Sequence, residues 1–351
     1  MAKRNEKDEK RLDFQAEIRR LRQNGPQRLY LLWGPEDYLR EHYLQTLKGI
    51  CLPEGEDSFS YKRMDGPELD LHDLREAIDA LPFMTERSFV ELQDVDLNRL
   101  KEPEKLLDVL SDIPDYCTVV FVQSASYALD GRTKGVKGLR TLAQELEFTS
   151  QSQGDLIRWI ARRFAAAGKS ISLEAAQRLI FISGDLMNRL IPEIEKVAAY
   201  AAGDKVTVED VEAVAHHIPE AQVFKMTEYM AQKQHNNAIV ILAELLADVN
   251  NEPNYILAAL ASQMKRLYLA RLLLEQDRDK KVLKDAFKIK YDFIVNQLLQ
   301  SARGFTLAQL KRAVEICAET SYQMRVSSTK ETELLKEAVL RIAAGESHAQ
   351  R

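Results

Sequence analysis

The first place where this chain could do chemistry is the turn after its first apolar run, Arg28 to Leu32, where the residues are Trp33-Gly34-Pro35-Glu36-Asp37-Tyr38. A phosphate-binding loop in that position needs glycine amides to cradle the phosphates, a lysine to neutralise them and a hydroxyl to ligate magnesium. None of that set is complete here. The turn has no Lys and no second Gly, Pro35 has no amide hydrogen, and Glu36 and Asp37 would repel a triphosphate. The acidic pair that holds the metal in such enzymes should end the run Ser88 to Val95, yet that run reads Phe89-Val90-Glu91-Leu92-Gln93-Asp94. Glu91 and Asp94 therefore read as exposed strand-face or turn residues. No Ser-His-Asp set, HExxH helix or glycine-rich dinucleotide fingerprint occurs. His216 and His217 are adjacent, so on a helix they point about 100° apart, and no third ligand is near in sequence. Cys51, Cys117 and Cys317 are widely separated and support neither a disulfide framework nor a zinc site. The chain is expected to use no cofactor and no metal.

A different kind of site is written at Leu81-Pro82-Phe83-Met84. Pro82 ends the preceding helical run and turns the chain, which can push large apolar neighbours outward as an anchor for a partner's pocket. Leu81 and Phe83 can equally plug the core beneath a sheet, and spacing alone favours that reading.

The elements that must position these residues alternate along the first 150 positions. Arg28 to Leu32 reads as a strand and Glu36 to Leu47 as a helix with Tyr38, Leu39, Tyr43, Leu44 and Leu47 on one stripe. Extended runs follow at Phe59 to Met64, Ser88 to Val95 and Cys117 to Gln123, with a short one at Glu147 to Thr149. Helical runs lie between them at Leu69 to Leu81, Glu102 to Leu110 and within Asp130 to Leu146. Strands alternating with helices predict a parallel sheet covered on both faces. Before them, residues 1–25 form a charged extension; Phe14, Ile18 and Leu21 have near-helical spacing, but a solvated segment is the preferred reading. After Ser150 the pattern becomes helical, with starts marked by Ser152-x-x-Asp155, Thr207-x-x-Asp210 and Thr306-x-x-Gln309. Pro219 separates a small helical domain, 151–218, from a second one, 219–345. The fold class is α/β for 26–150 and all-α thereafter.

Composition sets the outer limits. With 351 residues, 45% hydrophobic and 29% charged, two or three domains are expected, and a net charge of −5 argues against coating duplex DNA by charge alone. No run of about 18 uncharged apolar residues exists, and the first 22 residues are charged where a signal peptide needs an apolar stretch. The chain is expected in the cytoplasm, away from membranes.

The segments Tyr30-Leu31-Leu32-Trp33-Gly34-Pro35-Glu36-Asp37-Tyr38-Leu39, Leu81-Pro82-Phe83-Met84-Thr85-Glu86-Arg87 and Glu193-Ile194-Glu195-Lys196-Val197 together resemble the delta subunits of the bacterial DNA polymerase III clamp loader. These are members of the AAA+ superfamily, and the resemblance spans roughly residues 28 to 343. It implies a RecA-like α/β domain without a phosphate loop, a helical lid at 151–218, and a helical collar at 219–345 that joins an oligomer. It also implies a subunit of the polymerase holoenzyme that binds and opens the ring-shaped sliding clamp for loading onto primed DNA, with no ATP hydrolysis of its own. Partners implied are the beta sliding clamp, the loader's gamma/tau ATPase and delta-prime subunits, and primed DNA. Phe83 matches the family's clamp anchor, with Leu81 or Pro82 as its neighbour and Met84 in support, which reverses the core reading. Glu193 to Lys196 is expected to pack between domains, and Ala258 to Leu267 resembles a collar helix. Near the C-terminus Tyr322-Gln323-Met324-Arg325-Val326-Ser327 departs from the family pattern. Tyr322 is read either as an ordinary helix tyrosine or as a stacking face for an unpaired base. Lys265, Arg266 and Arg271 are read either as DNA-phosphate contacts or as a solvated helix face. A helical adaptor or nucleic-acid scaffold with a structural α/β domain is the alternative.

Overall fold

A computed structural model describes residues 12–53, 59–66, 69–83, 85–289 and 291–345. The chain packs into two units, one formed by Met1–Ser152 with Asp185–Ile191, the other by Gln153–Gly184 with Pro192–Arg351.

The first unit opens with helix α1 (Phe14–Asn24) and continues as β1 (Leu29–Trp33), α2 (Asp37–Cys51), β2 (Tyr61–Asp65), α3 (Leu71–Asp79) and β3 (Ser88–Gln93). It then runs through α4 (Pro103–Ser111), β4 (Cys117–Val122), α5 (Lys134–Leu142) and β5 (Gln144–Glu147). The five strands are all parallel, in the order β2-β3-β4-β1-β5. Helices α3, α4 and α5 cover one face through Leu74, Ile78, Leu106, Leu110, Val136 and Leu139, which join the core of β1, β3 and β4. Burial from both sides explains why β4 can be apolar at nearly every position rather than at alternate ones. The expected parallel α/β sheet is present. Its last strand begins at Gln144, three residues earlier than Glu147 to Thr149 suggested. At the open edge β2 carries exposed Lys62, Arg63 and Asp65, and charges there discourage pairing with another chain.

Two expectations are corrected here. Residues 14–24 are not a solvated extension but a helix with one buried stripe: Asp13 caps α1 by accepting the Ala16 amide at 3.0 Å, and Phe14, Ile18 and Leu21 are buried. Phe14 lies 5.5 Å from the His42 ring and 6.5 Å from Phe148, so the apolar stripe is covered by α2 and by the residue that follows β5. Nor is Glu91 on an exposed strand face. It is 1% exposed, with Lys48 Nζ of α2 at 2.5 Å, the Tyr61 hydroxyl donating at 3.1 Å and Gln93 Nε2 donating at 2.6 Å. Alternation along a strand says which residues share a face, but not that a helix will close over it. Asp94 is a turn residue as expected, with φ 52° and a carboxylate accepting the Ser124 amide at 2.6 Å.

The second unit contains α6 (Gln153–Ala166), β6 (Ser170–Ile171), α7 (Leu173–Ser183), α8 (Met187–Tyr200), β7 (Lys205–Val206) and α9 (Val208–Val214). Helix α8 belongs to the first unit up to Ile191 and to the second from Pro192. Next come α10 (Pro219–Ala231), α11 (His235–Ala247), α12 (Pro253–Glu275), α13 (Lys281–Phe287), α14 (Asp292–Ala302), α15 (Leu307–Val326) and α16 (Glu331–Ala343). All three capping signatures precede helices, and Thr207 and Thr306 form reciprocal capping boxes with Asp210 and Gln309. The two-residue parallel pair of β6 and β7 was not legible, being too short to leave a pattern. Helix α12 is the spine: Ile256, Leu260, Met264 and Leu267 are fully buried, and Gln263 donates to Thr227 on α10 at 3.3 Å.

Candidate functional site

The loop after β1 lies where the strand order reverses, because β2, β3 and β4 build out on one side of β1 and β5 is added on the other. In open parallel sheets that point, outside the carboxyl ends of the strands, is where ligands bind. Here the chain's own groups fill it. Gly34 has φ 119°, and a β-carbon there would stand 2.5 Å from the Phe148 carbonyl oxygen, so only glycine fits. The Glu36 amide donates to Phe148 O at 2.9 Å, and Arg40 Nη1 donates to Gly34 O at 2.8 Å while lying 2.6 Å from Asp37 through Nη2. Glu36 is fully buried, and its carboxylate accepts the Met187 amide at 3.2 Å and that of Tyr38 in the first turn of α2. The helix N-terminus, which attracts anions, is thus served by a fixed carboxylate rather than left free for a phosphate.

Burial pushes the Glu36 carboxyl up to about 7, assisted by the Asp185 and Asp37 carboxylates and opposed by the Met187 and Tyr38 amides. Between pH 4.5 and 7 the folded chain keeps a proton that the unfolded chain has released, so stability from this group is highest below about 4.5 and falls as pH rises to 7. Glu36→Gln removes that slope. The variant is expected to gain on the order of 1–3 kcal/mol over wild type at pH 8 relative to pH 4.5, measured by urea unfolding at the two pH values. A gap between the two proteins that does not change with pH would show that Glu36 titrates normally.

The second site is the segment that α3 delivers after Ala80. Leu81 is 76% exposed and Phe83 61%, with Pro82 partly buried between them. Met84, the fourth anchor residue, lies outside the described residues. Neither large side chain enters the core, because Ala80 already leaves the helix in an extended conformation and the sheet face beneath is filled by Leu74 and Ile78. Phe83 is held by its backbone. Its amide donates to the Ser60 hydroxyl at 2.9 Å, that hydroxyl donates back to the Phe83 carbonyl at 3.2 Å, and the Thr85 hydroxyl donates to Ser60 Oγ at 2.7 Å. Phe59, 92% exposed, sets its ring edge-on to Phe83 at 6.1 Å. Phe59 and Ser60 were missed as site residues. In sequence they read as the start of a strand, and no spacing links them to position 83.

The other candidates lie on the helices of the second unit. Lys265 on α12 and Tyr322 on α15 are exposed, the latter at 63%. Arg266 on α12 is partly buried with its guanidinium 5.9 Å from the Phe287 ring centre, and burial lowers its pKa. Arg271 pairs with Glu275 at 3.1 Å. Glu193 accepts the His216 amide at 2.8 Å and pairs with Lys196 at 2.7 Å, and His217 Nε2 lies 3.3 Å from Glu212. Among the described residues, no helix is long and apolar enough to cross a membrane.

Models of known families match two stretches: the DNA polymerase III delta subunit over residues 30–149 and the C-terminal domain of that subunit over 220–342. DNA polymerase III subunit delta of Bacillus subtilis is 24% identical over 320 residues, covering 89% of this chain and 91% of the relative. A probable DNA polymerase III subunit delta of Aquifex aeolicus is 22% identical over 298 residues, covering 82% and 83%. The solved structure of the Bacillus subtilis DNA clamp loader delta protein shares the fold, with a TM-score of 0.50 at 22% identity over 95% of this chain and 99% of that one.

Proposed function

The chain belongs to the DNA polymerase III delta subunit family, and from that premise we propose that it binds and opens the sliding clamp for loading onto primed DNA, in the cytoplasm, without hydrolysing ATP itself. The observation that carries this reading is the exposure of Leu81 and Phe83 on a segment whose backbone is tied down by Ser60. Large apolar side chains held out in water and fixed in place are what a partner's pocket selects, since burying them is favourable and little freedom remains to be lost. Glu36 at the N-terminus of α2, with no lysine in the loop, supports the absence of ATP chemistry.

Opening follows from differential affinity. If the anchor binds a clamp with one ring interface loosened more tightly than the closed ring, contact alone shifts the ring toward opening by the ratio of the two affinities. The helices of 219–345 would serve as the collar joining the gamma/tau ATPase and delta-prime subunits, and those of 151–218 as the lid. Lys265 and Tyr322, both exposed, are the DNA contacts of this reading that need no rearrangement to meet solvent.

The direct test is binding of the purified protein to the immobilised sliding clamp from the same genome, with no nucleotide present, beside an equilibrium titration with labelled ATP. Clamp binding together with no uptake of ATP is the expected result. A protein that ignores the clamp leaves the helical adaptor or nucleic-acid scaffold in its place, and saturable ATP binding overturns the account of the β1 loop.

A further inference from the structure

Phe59 is among the most exposed aromatic side chains described in the molecule, at 92%, yet it is not solitary. Its ring stands at 87° to that of Phe83 with the centres 6.1 Å apart, the edge-to-face arrangement that aromatic pairs favour. Phe59 also lines one cleft with Leu81, so it meets both apolar residues of a segment more than 20 positions away in the chain. The next residue supplies the connection. Ser60 is 6% exposed, and its one hydroxyl satisfies both backbone polar groups of Phe83. Ser60 therefore ties the backbone next to Phe59 to the backbone of Phe83, which keeps the two rings on adjoining segments.

We propose that Phe59 is a third contact residue of the clamp anchor and that Ser60 is its positioning residue, locking the Phe59 and Phe83 rings into one preformed surface. The inference rests on the clamp-binding reading above. The occupant is an apolar pocket on the sliding clamp wide enough for two aromatic edges and Leu81. Charged residues that line the neighbouring cleft of about 360 Å³, Lys62, Asp73 and Glu76, supply the polar rim that usually surrounds such a centre.

The test uses the full-length chain and the immobilised sliding clamp. Phe59→Ala is expected to weaken binding about tenfold, as truncation of an aromatic anchor does, while Val249→Ala, which removes an equally exposed apolar side chain in the second unit, leaves it unchanged. Combining Phe59→Ala with Phe83→Ala should depart from additivity, because the rings touch. Ser60→Ala should slow association and lose its effect when Phe83 is already alanine; a merely structural role would act equally in both backgrounds. If wild type binds, Leu81→Ala/Phe83→Ala does not, and Phe59→Ala binds like wild type, this inference is wrong and the anchor stands. If wild type itself does not bind, the clamp-binding reading falls and this inference with it.

Discussion

Replacing Leu81 and Phe83 together by alanine is expected to weaken binding to the immobilised sliding clamp by at least about thirtyfold, or roughly 2 kcal/mol, with no loss of folded protein. Both parts of that expectation come from exposure. At 76% and 61% exposed, the two side chains make little of the core, so removing them takes away little that holds the first unit together. The same exposure makes them a large apolar area that the described part of this segment can bury against a partner, and an interface concentrates its energy in a few such residues. The hydrogen bonds to Ser60 involve the backbone of Phe83 and survive the change, so the loop keeps its course. Thermal unfolding of the variant, run beside the binding assay, separates the two effects. Unchanged affinity in a folded variant would move the anchor elsewhere, whereas lost affinity in an unfolded one would mean that these side chains support the sheet.

Lys48→Ala is expected to produce the largest loss of stability, about 3–5 kcal/mol, a large share of the 5–15 kcal/mol that a domain commands. Lys48 and Glu91 are 6% and 1% exposed, and their charged ends are 2.5 Å apart beneath α2. Removing the lysine strands a carboxylate out of water that keeps the Tyr61 hydroxyl and the Gln93 amide as hydrogen-bond donors. The penalty comes from the stranded charge rather than from the worth of the pair, so Lys48→Met/Glu91→Leu should recover most of the loss. Urea unfolding of wild type, the single variant and the double variant measures both steps. A single variant within about 0.5 kcal/mol of wild type would mean that water reaches Glu91.

The amino-acid order alone carried the alternation of five strands with helices, the switch to helices after Ser150, the three capped helix starts and the incomplete phosphate loop. Each depends on near neighbours: residue types a few positions apart set periodicity and caps, and the absence of Lys and of a second Gly in the loop needs no folding to be seen. What lies across the chain from a residue could not be read that way. Glu91 looked exposed because nothing near it announces that Lys48, 43 positions earlier, will close over it from α2. Phe14, Ile18 and Leu21 looked solvated because their cover comes from His42 and Phe148. Spacing even favoured Leu81 and Phe83 as core plugs, and only the filled sheet face beneath them decides that they stand in water. Phe59 carried no signal at all, since its meaning depends on Ser60 meeting Phe83 after the sheet has formed. Local physics writes the elements into the order of residues, whereas burial and pairing across long separations come into being only when the elements pack.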